Sequence, residues 1–222
     1  MTELSFPDSL RYIGNYCFAV SSCKFLKIGR NVEFIGHCIV GANEVIEKIV
    51  VDRKNLNFAH DDLYNLYSKN YSVLYQVNAA TEHYTTPQTV KLIKAQAFNS
   101  IPIKTVIITQ NCVFEDKAFF SLTNLENVTF FGNIQPLDVV FFNYPSLKSI
   151  KYYSDEPVFT DIFYTKEKEN ISVSCCFDYN GNFSGIVPIQ EFACINPIIK
   201  SCIVNHYHRL DYIYVFIPIL IE

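Results

Sequence analysis

Apolar residues recur along the chain in a short motif, two apolar positions separated by one residue. The copies are Leu4-x-Phe6, Leu26-x-Ile28, Ile49-x-Val51, Val106-x-Ile108, Val128-x-Phe130 and Ile150-x-Tyr152. Successive copies are 22, 23, 57, 22 and 22 residues apart. In four of them a further apolar residue stands three positions upstream, at Ile46, Ile103, Leu125 and Leu147. A spacing of two predicts a β-strand with one buried face.

A second pattern alternates with the first: an apolar residue, three spacers, then two small or apolar residues. Its copies are Ile13…Cys17-Phe18, Ile35…Ile39-Val40, Ile93…Ala97-Phe98, Phe114…Ala118-Phe119 and Leu137…Phe141-Phe142. Three of them begin with an apolar residue three positions earlier, at Leu10, Val32 and Val90, and Gly14 and Gly36 follow the apolar residue in two. Glycine there predicts a tight corner. Two interleaved motifs on one period of about 22 residues define a repeat with one strand and one return segment per coil, the length class of leucine-rich repeats. A lone coil cannot bury its apolar face. Stacked coils bury a continuous ladder, in which each large side chain contributes roughly 1.5–3 kcal/mol.

The residues around these positions resemble a known family. Phe6-Pro7-Asp8-Ser9-Leu10-Arg11-Tyr12-Ile13-Gly14-Asn15-Tyr16-Cys17-Phe18 is similar to the P-x-S-L-x-x-I-G-x-x-A-F signature of BspA-like leucine-rich-repeat proteins, and Thr86–Phe98 matches it again. Leu122-Thr123-Asn124-Leu125-Glu126-Asn127-Val128 looks like the family's C-x-x-L-x-x-I step, with Leu122 in place of cysteine. The resemblance covers about residues 4–153. Ile39-Val40 and Phe141-Phe142 depart from the signature's Ala-Phe, and the copy near Cys112 is one residue short. The resemblance implies surface or secreted proteins that bind other proteins, without shared catalytic residues.

The expected fold is therefore mainly β: a right-handed leucine-rich-repeat solenoid over residues 1–153, with short turns or 3₁₀ pieces on its convex side. A cap and an apolar tail are expected over 154–222, with the irregular cap itself at about 154–195. The 57-residue step predicts an insertion or a degenerate coil at about 52–85. Within it, Leu63–Tyr67 and Ser72–Val77 flank the polar Ser68-Lys69-Asn70-Tyr71 and read as a β-hairpin, either a protrusion that meets a partner or an ornament closing a longer loop. Residues 1–6 look like the last strand of a coil without a cap, so that edge is expected to be covered either by self-association through this N-terminal coil or by further sequence. The N-terminus has no basic n-region or long apolar core, which predicts no signal peptide. The uncharged run 212–221 is ten residues long, against the roughly 20 that a spanning helix needs, and predicts a buried or edge strand, with an interfacial anchor or the start of a truncated segment as the alternatives.

Composition narrows the function. Of 222 residues, 50% are apolar and 18% charged, and the formal charge is −4; disorder and a basic nucleic-acid footprint are both excluded as expectations. Eight cysteines show no C-x-x-C spacing, which predicts reduced thiols that pack as small apolar groups. Sequons at Asn70, Asn127, Asn170 and Asn182 are weak signs of a secretory history. Placement at the cell surface follows from the family resemblance, and placement in the cytoplasm from the lack of a signal peptide. No phosphate loop, nucleophile elbow, zincin or EF-hand motif occurs, and no cofactor is expected. Cys202, His206 and His208 could ligate a soft metal if Cys194 or the Cys175-Cys176 pair joined them. A metal-dependent or thiol enzyme built on that cluster is the alternative to a non-catalytic binding module, adhesin-like or scaffold. For the binding module, the residue between the two inward strand positions faces outward. That row is Lys27, Val50, Ile107, Thr129 and Lys151, with Phe131 and Tyr153 on the same face as anchors, next to Lys48, Asp52, Thr105, Thr109, Asn127 and Ser149. Its mix of apolar, hydroxyl and charged groups fits a protein partner of unknown identity.

Overall fold

The computed structural model describes residues 3–19, 21, 23–40, 46–78, 82–99, 101–132, 134–136, 141–142 and 144–153, then strand segments within 163–218; side chains are described up to 132 and over 144–151. These residues build a mainly β solenoid of about six turns, and no helix occurs among them.

The first motif forms one wall. β1 (Glu3–Leu4), β3 (Phe25–Ile28) and β5 (Lys48–Val51) make a parallel three-stranded sheet. A second sheet contains β9 (His83–Thr85), β11 (Thr105–Ile108), β14 (Asn127–Phe131), β17 (Ser149–Tyr153) and β19 (Ser172–Phe177), all parallel, and ends in the antiparallel β20 (Phe183–Pro188). The register puts equivalent positions side by side: Val106 pairs with Val128 and Ile108 with Phe130. Leu26, Ile28, Ile49, Val51, Val106, Ile108, Val128, Phe130 and Ile150 all point inward and are buried. One further parallel strand, β19, lies inside the stretch where the sequence predicts the cap, with Ile150 beside Val173.

The return segment keeps the expected short turns, at 15–19, 95–99 and 116–117, and adds short strands to them: β2 (Tyr12–Ile13) with β4 (Phe34–Ile35), then β10 (Leu92–Ile93), β12 (Cys112–Phe114) and β15 (Ile134–Pro136). β2 and β4 each expose one residue and bury the next. Two residues per coil are enough to pair with the coil beside them. A third row follows at β13 (Phe119–Phe120), β16 (Phe141–Phe142) and β18 (Phe163–Tyr164).

The corner between the second and third rows is not made by glycine. The left-handed residues there are Tyr16, Cys38, Gln96 and Lys117, with φ between 50° and 56°. Gly36 serves a different purpose, close approach. The Asn15 side chain occupies the space a Cβ would need, and its oxygen accepts the His37 N–H at 3.0 Å.

The insertion is a three-stranded antiparallel meander, β6 (Phe58–His60), β7 (Leu66–Ser68) and β8 (Val73–Gln76), so the expected hairpin is present. It does not protrude. β8 pairs in parallel with β10, and Leu66, Tyr67 and Leu74 are buried. A register shift at Leu66/Tyr67 lets two successive residues face inward. Leu66 enters one core cluster with Ile35, Ile49 and Phe58, and Tyr67 enters the other with Tyr84, Phe98 and Phe114. The meander therefore joins two half-cores. The long step also conceals one more coil: Tyr84 stands beside Val106, 22 residues before it. C-terminally, β21 (Phe192–Asn196), β22 (Ser201–His208) and β23 (Asp211–Pro218) form an antiparallel sheet, so the apolar tail contains an edge strand.

Candidate binding face

The outward row of the first wall is in register. Lys27 lies beside Val50, and Thr85, Ile107, Thr129 and Lys151 follow one another across β9, β11, β14 and β17. Phe131 pairs with Tyr153. Phe131 is 42% exposed, a large aromatic surface on this face; the Tyr153 side chain lies outside the described residues. Thr85 completes the row and escapes the motif reading, because Tyr84 stands where the other coils carry an aliphatic residue and the polar Thr86 where they carry an apolar one. Only the step of 22 before Val106 would have revealed it.

The row falls into two parts, Lys27–Val50 and Thr85–Lys151, since β5 and β9 share no sheet. The insertion fills the gap. The Asn78 side-chain amide donates to the Glu47 carbonyl at 2.8 Å and to the Leu63 carbonyl at 3.0 Å, standing in for the backbone donor that a neighbouring coil would supply. The Asp61 carboxylate organises the adjoining loop, accepting the N–H groups of Leu63 and Asn65 and the Asn65 amide at 2.8–3.0 Å. It also accepts the Tyr67 hydroxyl at 3.1 Å, and that hydroxyl shares a 2.8 Å hydrogen bond with Tyr84. Burial raises both phenols well above their ordinary value. The same loop brings Tyr64 onto the candidate face, with the Lys48 ammonium 4.8 Å from its ring centre and His60 stacked on it at 5.7 Å. His60 Nδ1 accepts the Val51 N–H at 3.1 Å, and burial lowers its pKa.

One edge of the face carries charges of alternating sign, one coil apart: Lys24 with Glu47 at 2.8 Å, Glu82 with Lys104 at 2.9 Å and Glu126 with Lys148 at 3.1 Å. The Glu82 hydrogen bond and charge raise the Lys104 ammonium, and Lys104 lowers the Glu82 carboxyl in return. Exposed, solvent-screened pairs of this kind add little to stability. The border is neutral overall, unlike a surface for phosphate.

For thiol and metal chemistry, the strand register places Cys194 beside Ile203 and Cys202 beside Ile195, while the side chains of Cys175, Cys176, Cys194, Cys202, His206 and His208 lie outside the described residues. Among the described residues no group of three metal-ligating side chains forms. Cys23, Cys38 and Cys112 are buried and Cys17 is exposed. The Cys112 thiol donates to the Val90 carbonyl at 3.2 Å, and burial pushes its pKa up to about 12. A thiol so held is a poor nucleophile. At pH 8, alkylation followed by peptide mass spectrometry should label Cys17 quickly and Cys112 only after denaturant is added; early labelling of Cys112 would refute its burial.

The family model for BspA-type leucine-rich repeat regions matches six copies, over residues 1–80 and 72–170. The chain belongs to this BspA-type family. The BspA-type chain is similar to the crystal structure of a leucine-rich repeat protein from Eubacterium ventriosum, with 27% identity, a TM-score of 0.66, and coverage of 78% of this chain and 48% of that one. It also resembles a leucine rich cell surface protein from Faecalibacterium prausnitzii at 19% identity and a TM-score of 0.54, covering 71% and 43%. The chain thus spans about half the length of these solved proteins. No curated protein matches it. Among the described residues no helix is long and apolar enough to cross a membrane.

Proposed function

We propose that this BspA-type solenoid is a non-catalytic protein-binding module, adhesin-like or scaffold, acting at a cell surface. It binds through the outward row Lys27, Val50, Ile107, Thr129 and Lys151, with Phe131 and Tyr153 as anchors. The supporting observation is the in-register row ending at the exposed Phe131, an aromatic group of the kind that dominates protein interfaces. The strands space outward side chains about 4.8 Å apart from coil to coil, giving a rigid surface that need not be ordered on binding. The surface location rests on the family and on the description of the Faecalibacterium protein as a cell surface protein.

The test is affinity capture from host or microbial extracts, with bound proteins identified by mass spectrometry. The double variant Thr129→Glu, Phe131→Ala should lose a specifically captured partner while its circular dichroism stays unchanged, because neither side chain belongs to the buried core. Capture of the same partner by both proteins would reject this face.

A further inference from the structure

We propose that the protein associates with a second copy of itself through the side face of its first two coils, where β2 and β4 lie. The sequence leads to an expectation of self-association at the open edge of the N-terminal coil; the contact proposed here is on the side face of the same coils, where the exposed groups lie. Tyr12 is 68% exposed and Phe34 51%, paired in register with ring centres 6.1 Å apart. Elsewhere on the same wall the outward positions Leu92 and Val113 are half-buried aliphatics, so among the described residues the large exposed rings of this wall belong to coils 1 and 2. Tyr16, 47% exposed, extends the patch beside His37.

The bordering charges select the occupant. Arg11 pairs with Glu33 at 3.3 Å, and Asp8 with Arg30 at 3.3 Å. Each pair is 22 residues apart, as are Tyr12 and Phe34, so all three pairs obey one coil-to-coil translation. Coil 1 therefore carries minus then plus along the strand direction, and coil 2 plus then minus. A two-fold axis lying in the face, parallel to the strands and between the coils, exchanges coil 1 with coil 2 of the other copy. Arg11 then meets Glu33 of the second molecule, Asp8 meets Arg30, and Tyr12 meets Phe34. Every charge finds its opposite and the aromatic centre closes on itself, the property an isologous interface requires. A partner with a single sign of charge would instead meet two repulsive corners.

The patch is small, so dissociation constants of about 10–100 µM are expected, weakening with salt. Sedimentation equilibrium on the full chain reads this directly. Arg11→Glu alone and Glu33→Arg alone should each be monomeric, since like charges then face one another across the axis twice. Mixed one to one, the two variants should form a heterodimer. The axis then sets an acidic side chain at position 11 or 33 of one molecule against a basic one on the other, at both ends. The intrachain pair stays broken in the mixture, so recovery cannot come from repaired folding. Tyr12→Ser with Phe34→Ser should abolish association in every combination. A wild-type chain that stays monomeric at the highest of these concentrations, or single variants that dimerise as the wild type does, would overturn the proposal. So would a mixture that remains monomeric.

Discussion

Phe98→Ala should destabilise the protein by about 3–5 kcal/mol, the range for removing a fully buried aromatic ring. Phe98 has no exposed surface and holds several coils together through its contacts: it stacks on Phe119 at 4.6 Å and meets Tyr84 edge-on at 5.3 Å. Neither neighbour can collapse into the void without leaving its own row. The loss also falls at the joint between the insertion and the C-terminal coils, because Tyr84 links this ring to Tyr67. Tyr84→Phe is the comparison. It keeps the ring and removes one hydroxyl, leaving Tyr67 its bond to Asp61, and should cost only about 1 kcal/mol. Urea denaturation followed by circular dichroism reads both. If Phe98→Ala shifted the midpoint no more than Tyr84→Phe, the stacked core would not be the main source of cohesion. Because stability in repeat arrays resides in nearest-neighbour contacts, Phe98→Ala should also broaden the transition, with the N-terminal coils unfolding separately.

Gly36→Ala has the second-largest expected effect, and a cavity plays no part in it. A Cβ at Gly36 would lie 2.6 Å from the Asn15 backbone nitrogen and 2.8 Å from the Gly14 carbonyl carbon, besides overlapping the Asn15 side-chain oxygen. Backbone atoms of the preceding coil cannot rotate aside, so coil 1 must move off coil 2. A cost of about 1–3 kcal/mol follows, as for other overpacked sites. Hydrogen exchange should show the loss locally, at the His37 amide that Asn15 accepts. Adding Asn15→Ala should recover little, because the backbone contacts remain; full recovery would show that only the side chain resists. Gly132 faces Asn111 in the same way, its φ of +103° adding a backbone reason for glycine.

How far the sequence reached can be seen at individual positions. Leu26, Ile49, Val106 and Val128 were legible as inward strand residues because burial of apolar area dominates their energy and the strand period is fixed at two. Val50, Ile107, Thr129 and Lys151 were legible as a row for the same reason, seen from the opposite side. Tyr84 was not legible. A tyrosine followed two residues later by a threonine does not look like an aliphatic strand motif, yet both are buried because partners satisfy their hydroxyls: Tyr67 for one and Thr109 for the other. Gly14 and Gly36 mark where the chain turns, but the left-handed residues are Tyr16 and Cys38, two positions on, and Gly36 is needed for close approach to Asn15, which composition does not reveal.

The period of the coil, the identity of its inward ladder and the family all follow from the order of residues, because a repeated apolar spacing has one way of hiding its surface from water. Tertiary structure alone decided three other matters. The insertion became the wall between two half-cores, through a bulge at Leu66 and Tyr67 whose placement depends on the strands on either side. Asn78 replaced a missing backbone donor for Glu47, a contact spanning 31 residues with no local signature. Tyr12 and Phe34 came to share an exposed face with a checkerboard of charge at its rim. Outward side chains carry no burial constraint, so what they adjoin is set by the stacking of coils and cannot be read from spacing along the chain.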